Sequence, residues 1–223
     1  MGLQKNTYNP CLYTSFICDP GDPSDSPALV PLTLGLYVDD FFFFSTSNSI
    51  ESKFQRILSC LLTLNFMGVV EWFLGIHFSL CISNGKLDVH MNQSGFARNL
   101  VENFDLQHWT LTPNAKPCPS RILIDAVPKD DKDNDSPAQK RRTAAYQRIT
   151  GSVGCLSNNT RPDLYTIHFF PSPYDMYPAP GHMKAALYVL HYIHFTYDYG
   201  ISFSSRTQEP IHVYLRHPDV SDT

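Results

Sequence analysis

The sequence predicts an α+β fold: antiparallel hairpins with a helix at the front, and a mainly helical region behind them. Three observations carry that prediction. Leu34 to Phe44 sets two adjacent acids, Asp39 and Asp40, between runs of strand-forming residues. From Ser49 the apolar spacing changes to that of a helix, through Ile50, Phe54, Ile57, Leu58, Leu61 and Leu62. Farther along, Asn84-Gly85 separates two alternating segments, which is a strong hairpin signal because both turn positions accept positive φ.

The elements follow in order. Residues 8 to 18, with Tyr8, Leu12, Tyr13, Phe16 and Ile17, predict a strand that ends in the turn composition Asp19-Pro20-Gly21-Asp22-Pro23. Leu29 to Tyr37 is its partner, and Phe41 to Phe44 the return strand, whose aromatic run is expected to be buried on both faces. Asp39-Asp40 then falls at a hairpin tip, because an unpaired buried carboxylate would cost several kcal/mol. A plain acidic turn would explain the pair, since turns favour Asp. Hard oxygen ligands in this setting also suit Mg²⁺, which takes one or two protein carboxylates and completes its shell with water and substrate phosphates.

Ser49 is expected to cap the helix, with Glu51 in its first turn and Gly68 as its stop. Glu71 to Leu80 predicts a strand in which Gly75 marks a bulge or a close backbone approach, and Trp72-Phe73-Leu74 a core cluster. Ser94 opens a helix with Phe96, Leu100, Val101 and Phe104 on one side. Pro113, Pro117, Pro119 and Pro128, then the mixed charges from Lys129 to Asp135, read as a polar linker. Helices follow through Tyr146, Ile149, Val153 and Leu156, from Pro162 through Leu164, and from His182 to Phe195 with Ala185, Ala186, Val189, Leu190 and Ile193 inward. His191 and His194 share a face and read as packed or exposed histidines. Ile201 to Phe203 and Ile211 to Leu215 read as strands.

Composition bounds the function. The 223 residues are 43% hydrophobic, enough for a sizeable core, and the formal net charge is -4. A duplex-binding protein of this size ordinarily carries a basic excess, so the balance argues against a complete nucleic-acid enzyme. Cysteines at 11, 18, 60, 81, 118 and 155 form no CxxC pair and no zinc spacing, and are expected to be reduced, packed residues of an intracellular protein. No apolar run is long enough to span a membrane.

The whole order resembles the middle of a copia-type LTR-retrotransposon polyprotein, in its reverse transcriptase region. Tyr37-Val38-Asp39-Asp40 is similar to the catalytic YxDD box, Asn9-Pro10-Cys11-Leu12-Tyr13 to a DPCLF-like strand, and Trp72-Phe73-Leu74-Gly75-Ile76 to the WFLGI hairpin. Gln93 with Phe96 to Phe104, Tyr146 to Ser152, Thr160-Arg161-Pro162-Asp163-Leu164, His182 to Ile193, and Asp198-Tyr199-Gly200-Ile201 resemble later segments of the same region, at similar spacings.

The resemblance implies a partial reverse-transcriptase palm with a primer-grip-like hairpin over 1-92, a thumb-like helix over 93-112 and a flexible linker over 113-142. A helical thumb or connection would follow over 143-203, and the start of an RNase H-proximal segment over 204-223. It implies RNA-directed DNA synthesis with Mg²⁺ (or Mn²⁺) held by Asp39 and Asp40. Template-primer contacts would come from Tyr37, Trp72, Phe73, Leu74, Gly75, Arg98, Lys140, Arg141, Arg142, Arg148 and Arg161. The implied partners are an RNA/DNA template-primer, a dNTP and the fingers, RNase H and integrase regions of the polyprotein, with no membrane. The parent element would act in a cytoplasmic virus-like particle or the nucleus.

Departures go with it. A further metal-binding Asp and the fingers are not found ahead of Met1, and Asn9, His191 and His194-Phe195-Thr196 differ from the family pattern. The chain by itself is therefore expected to be inactive. A degenerate, non-catalytic nucleic-acid-binding remnant is the alternative.

Overall fold

The computed structural model describes residues 2–19, 29–83, 86–104, 136–165 and 175–204. The chain divides into two compact units, Met1–Val70 and Glu71–Thr223.

In the first unit a four-stranded antiparallel sheet has the order β1-β2-β3-β4, formed by Gln4–Lys5, Leu12–Cys18, Leu29–Tyr37 and Asp40–Ser45. The short β1 was not anticipated. The strand expected from residue 8 begins at Leu12, because Asn6 and Asn9 side chains accept backbone N–H bonds from Tyr8, Asn9 and Cys11 and hold that stretch in turns. Pro31 sits inside β3 without cost to the ladder. It lies beyond the last β3–β4 pair, Leu32 with Ser45, and the Ser45 hydroxyl donates to the Pro31 carbonyl at 2.8 Å.

Helix α1, Asn48–Leu61, packs on one face of this sheet. Its cap is Ser47, whose hydroxyl accepts from the Ile50 N–H, rather than Ser49; it ends at Leu61, well before Gly68. Leu32, Ile50 and Phe54 make the buried core, with Val30, Leu34, Phe43 and Leu58 packed around it. The Phe41–Phe44 run is half-buried rather than buried on both faces, and Phe44 is 53% exposed. The reason is topological: β4 lies at the sheet edge and α1 covers only one face.

The second unit pairs β5-β6-β7-β8, from Trp72–Phe73, Ile76–Ser83, Lys86–Asn92 and Gly200–Ser204, in another antiparallel sheet. Ser83 pairs with Lys86 across the two residues of the expected Asn84-Gly85 turn, which themselves lie outside the described residues. Helices α2 (Ser94–Glu102), α3 (Pro137–Asn159) and α4 (Pro180–Phe195), with a 3-10 turn at Pro162–Leu164, form the rest. Their core joins Ala97, Leu100 and Val101 to Tyr146, Ile149, Val153 and Leu156, and to Leu164, Ala186, Val189, Leu190 and Ile193. Phe96, expected inside, is 40% exposed, and Ala97 takes its place.

The compact units divide at Val70/Glu71, and within the second unit β8 pairs along β7 from Asn92↔Gly200 to Asp88↔Ser204, tying the end of the helical region back to the hairpin. Residues 137–142, assigned to the linker, open α3: Ser136 accepts from the Gln139 N–H and Pro137 takes a position where no N–H bond is lost. The linker from Pro113 and the strand Ile211 to Leu215 lie outside the described residues. Cys11, Cys18, Cys60, Cys81 and Cys155 are free and exposed rather than packed.

Candidate functional site: the acidic hairpin and its surroundings

Tyr37 pairs with Asp40, so Val38 and Asp39 form a two-residue hairpin loop. Apolar β3 and aromatic β4 fix the strands, and the loop carries both carboxylates into solvent, since Asp39 and Asp40 are exposed. Val38 stands at φ 51 and is 80% exposed. A β-branched residue in the left-handed region is strained by about 1–3 kcal/mol, and it persists only where its surroundings hold it. In a hairpin that position ordinarily falls to Gly.

Adjacent carboxylates in water supply hard oxygen ligands, so Asp39 and Asp40 fit part of a Mg²⁺ or Mn²⁺ shell. Among the described residues no group of three or more His, Cys, Asp or Glu could hold a metal. A complete ligand set would therefore draw its remaining oxygens from water, substrate or another acid.

The remaining candidates separate into distinct environments. Tyr37 is 52% exposed beside the acid pair. In the second unit Phe73 pairs with Ile76, leaving Leu74 and Gly75 as a two-residue turn with φ 52 and 75. Gly75 is thus a turn residue, not a bulge, and a Cβ there would meet nothing, so no backbone approaches it closely. Trp72, expected in the core, is 61% exposed and lies over the His77 ring, with centroids 4.7 Å apart.

The cations divide more sharply. Arg98 is exposed, with its guanidinium 4.8 Å from the Tyr197 ring centroid, and Arg148 is exposed 5.8 Å from that of Phe104. Both distances are within the range in which an aromatic face attracts a guanidinium. Lys140 is exposed on the first turn of α3. Arg141 Nε donates to the Pro137 carbonyl and Arg142 to Gln139 Oε1, so both bond within their own helix.

Arg161 is a correction. It is 1% exposed and its donors are spent inside: Nε and Nη2 fork onto Asp163 at 2.9 and 2.7 Å, while Nη1 donates to the Thr196 carbonyl at 2.7 Å. Tyr192 donates its hydroxyl to the same Asp163 carboxylate at 2.9 Å, and burial together with that carboxylate pushes the phenol well above its ordinary pKa. A guanidinium so enclosed has no face for a phosphate. Thr160 extends the network by donating to Gln93 Oε1 at 3.0 Å, joining the start of α2 to the end of α3. Arg161, expected at the template-primer, and Gln93 of the family-like helix segment therefore build the interior. The Pro-Asp pair two residues after an Arg was the available signal, because an i,i+2 acid can take a guanidinium fork across a tight turn.

Fold and site together define an α+β chain bearing an exposed carboxylate hairpin, and comparison with known proteins supports a retrotransposon-related chain of transposon-derived origin. The similarity is to a transposon Ty5-1 protein of Saccharomyces cerevisiae, 26% identical over 184 residues, which are 82% of this chain and 56% of that protein. The chain thus spans about half the length of this relative. No family model and no solved structure matches it. No helix among the described residues is long and apolar enough to cross a membrane.

Proposed function

We propose that this chain is a reverse-transcriptase segment of a copia-type retrotransposon polyprotein, whose Asp39-Asp40 turn would hold Mg²⁺ or Mn²⁺ in RNA-directed DNA synthesis. The observation that carries the reading is the hairpin loop itself: two exposed carboxylates on a turn held in strain by Val38 at φ 51. The transposon relationship supports it. When bound, the divalent ions would supply Lewis acidity at a primer hydroxyl and at the phosphates of a dNTP. Asp39 and Asp40 would provide fixed negative oxygen at one point in space, and Tyr37 an apolar wall beside them. Trp72 to Gly75 would present an exposed turn to the template-primer. The further acid would come from another part of the polyprotein, so this chain by itself is expected not to extend a primer.

The test is Mn²⁺ titration of the chain, followed by paramagnetic broadening of backbone amide signals. Broadening centred on residues 37 to 41, and lost in Asp39→Asn, is expected. Broadening elsewhere, or none, would sink the assignment, and primer extension with Mg²⁺ by the chain alone would overturn its predicted inactivity. The second reading, a nucleic-acid-binding remnant without chemistry, is favoured by Arg98 and Arg148, exposed cations beside the Tyr197 and Phe104 rings. Salt-dependent duplex affinity unchanged by Asp39→Asn, in a chain that shows no turn-centred broadening, would select it.

A further inference from the structure

Val38 keeps its positive φ although the residue is 80% exposed, so contacts of its own do little to fix it there. Asp39 and Asp40, which follow it, are exposed too. A strained residue persists where the surrounding structure over-determines it. For a two-residue loop that structure is the ladder, because the turn stays tight only while Tyr37 remains paired with Asp40. If that closing pair opened, the loop would lengthen and Val38 could leave the left-handed region.

Behind the closing pair come Leu36↔Phe41 and then Gly35↔Phe42. Phe43 packs against the core beneath α1, so Phe42, its neighbour along the strand, is on the opposite face together with Asp40 and Phe44. A Cβ added at Gly35 would stand 2.6 Å from Cε1, 3.1 Å from Cδ1 and 3.3 Å from Cζ of Phe42, its three nearest atoms. The ring therefore crosses between the strands and lies on the bare backbone of Gly35, where a Cβ would hold it off. Gly35 has no positive φ, so what a glycine supplies at this position is room for the ring.

We infer that Phe42, laid across Gly35, pins β4 to β3 and thereby holds Val38 in its strained conformation, which makes Gly35 and Phe42 positioning residues for the Asp39 and Asp40 carboxylates. Cross-strand aromatic contacts of this kind fix register. Phe44 stacks beside the Phe42 ring, with centroids 6.3 Å apart and planes 13° from parallel. On the other face Phe43 meets Phe54 of α1 edge-on at 5.0 Å. The strand that carries Asp40 is thus tied to α1 on one side and to Gly35 on the other.

Nuclear magnetic resonance on the full chain tests this clamp without metal. The Gly35 Hα beneath the ring should resonate upfield of an ordinary glycine, and Val38 should show the strong intraresidue amide-to-Hα NOE of a positive φ. In Phe42→Val, which keeps a strand-forming residue but removes the ring, that NOE should be lost. Gly35→Ala should lose it as well and unfold at lower urea. Added to Phe42→Val, the same Gly35→Ala should instead raise the urea midpoint, because the ring is gone and Ala suits a strand better than Gly. The Val38 NOE is the readout that a contact of local packing only would leave unmoved.

A Gly35 Hα without the upfield shift would overturn the proposal. So would a Val38 NOE that survives in folded Phe42→Val, or a Gly35→Ala loss of equal size with and without the ring. If Phe42→Val does not fold, sub-denaturing urea on the unaltered chain replaces it: the ring shift and the Val38 NOE must fade together, and an NOE that outlasts the shift overturns the proposal. Only the consequence for metal rests on the reading of Asp39 and Asp40 as ligands, namely weaker Mn²⁺ broadening at residues 37 to 41 in both single variants. An unaltered chain with no such broadening but with the metal-free signals as expected would sink the metal reading and support the clamp.

Discussion

The Arg161 guanidinium and the Asp163 carboxylate meet as a two-point fork at 2.9 and 2.7 Å, only two residues apart, with the Pro162 turn between them. The same Arg reaches the carbonyl and hydroxyl of Thr196 at the end of α4, so one buried charge pair fastens the 3-10 turn to a helix 35 residues away. Tyr192 and Tyr199 flank it, with ring centroids 5.5 and 5.3 Å from the guanidinium carbon.

Removing one member leaves the other charged and enclosed. Arg161→Ala is expected to lower unfolding stability by about 3–5 kcal/mol, the range for breaking a buried pair from one side. Arg161→Lys should recover little, since an ammonium cannot reproduce the fork. Urea unfolding followed by circular dichroism measures this. A loss under about 1 kcal/mol in Arg161→Ala, the range of exposed pairs, would mean that the network is not structural.

Val38 makes the opposite prediction. The residue is 80% exposed, so shortening its side chain sacrifices little packing, while φ 51 suits Gly far better than a β-branched residue. Relief of about 1–3 kcal/mol of strain is offset in part by the added freedom of Gly in the unfolded chain, about 0.5–1 kcal/mol. Val38→Gly should therefore raise stability by roughly 1 kcal/mol. Thermal or urea unfolding is the check, and a clear loss of stability would show that Val38 carries packing or a constraint beyond its turn.

Acid should loosen the second unit through its histidines. His182 is 1% exposed, and its Nδ1 accepts the Ala179 N–H at 3.0 Å, a bond only the neutral ring can make in that direction. Burial holds its pKa below the ordinary value; burial first and then neighbouring His194 do the same for His191. Protons therefore bind the unfolded chain more readily than the native one. The stability these groups contribute is full above about pH 6.5 and drains as pH falls from there toward the lowered native values. The urea midpoint should drop between about pH 7 and pH 5, and His182→Gln, which keeps an acceptor but does not titrate, should flatten part of that slope. A midpoint that rises on acidification would contradict the assignment.

Local chemistry made much of this architecture legible. Leu29 to Tyr37 and the inward set of α4 could be read because their patterns state a period and a face, and they emerge where that period places them; the Phe run was legible as a strand but not in its burial. The exposure of Asp39 and Asp40 followed from the cost of burying unpaired carboxylates. Other readings failed where a neighbour distant in sequence decides. Arg161 is an ordinary surface cation until Thr196 and Tyr192 close around it. Trp72 is an ordinary core residue until the two-residue turn at Leu74-Gly75 leaves it on an uncovered face. Gly200 is a plain helix exit until β8 lies so close to Met91 and Asn92 that a Cβ would strike the neighbouring backbone. By itself the sequence determined the hairpins, the helices and the acidic turn, since propensity, capping and burial cost act over a few residues. The tertiary structure alone decided which charge is interior, which aromatic is exposed and which strand is an edge, because those depend on contacts that sequence spacing does not encode.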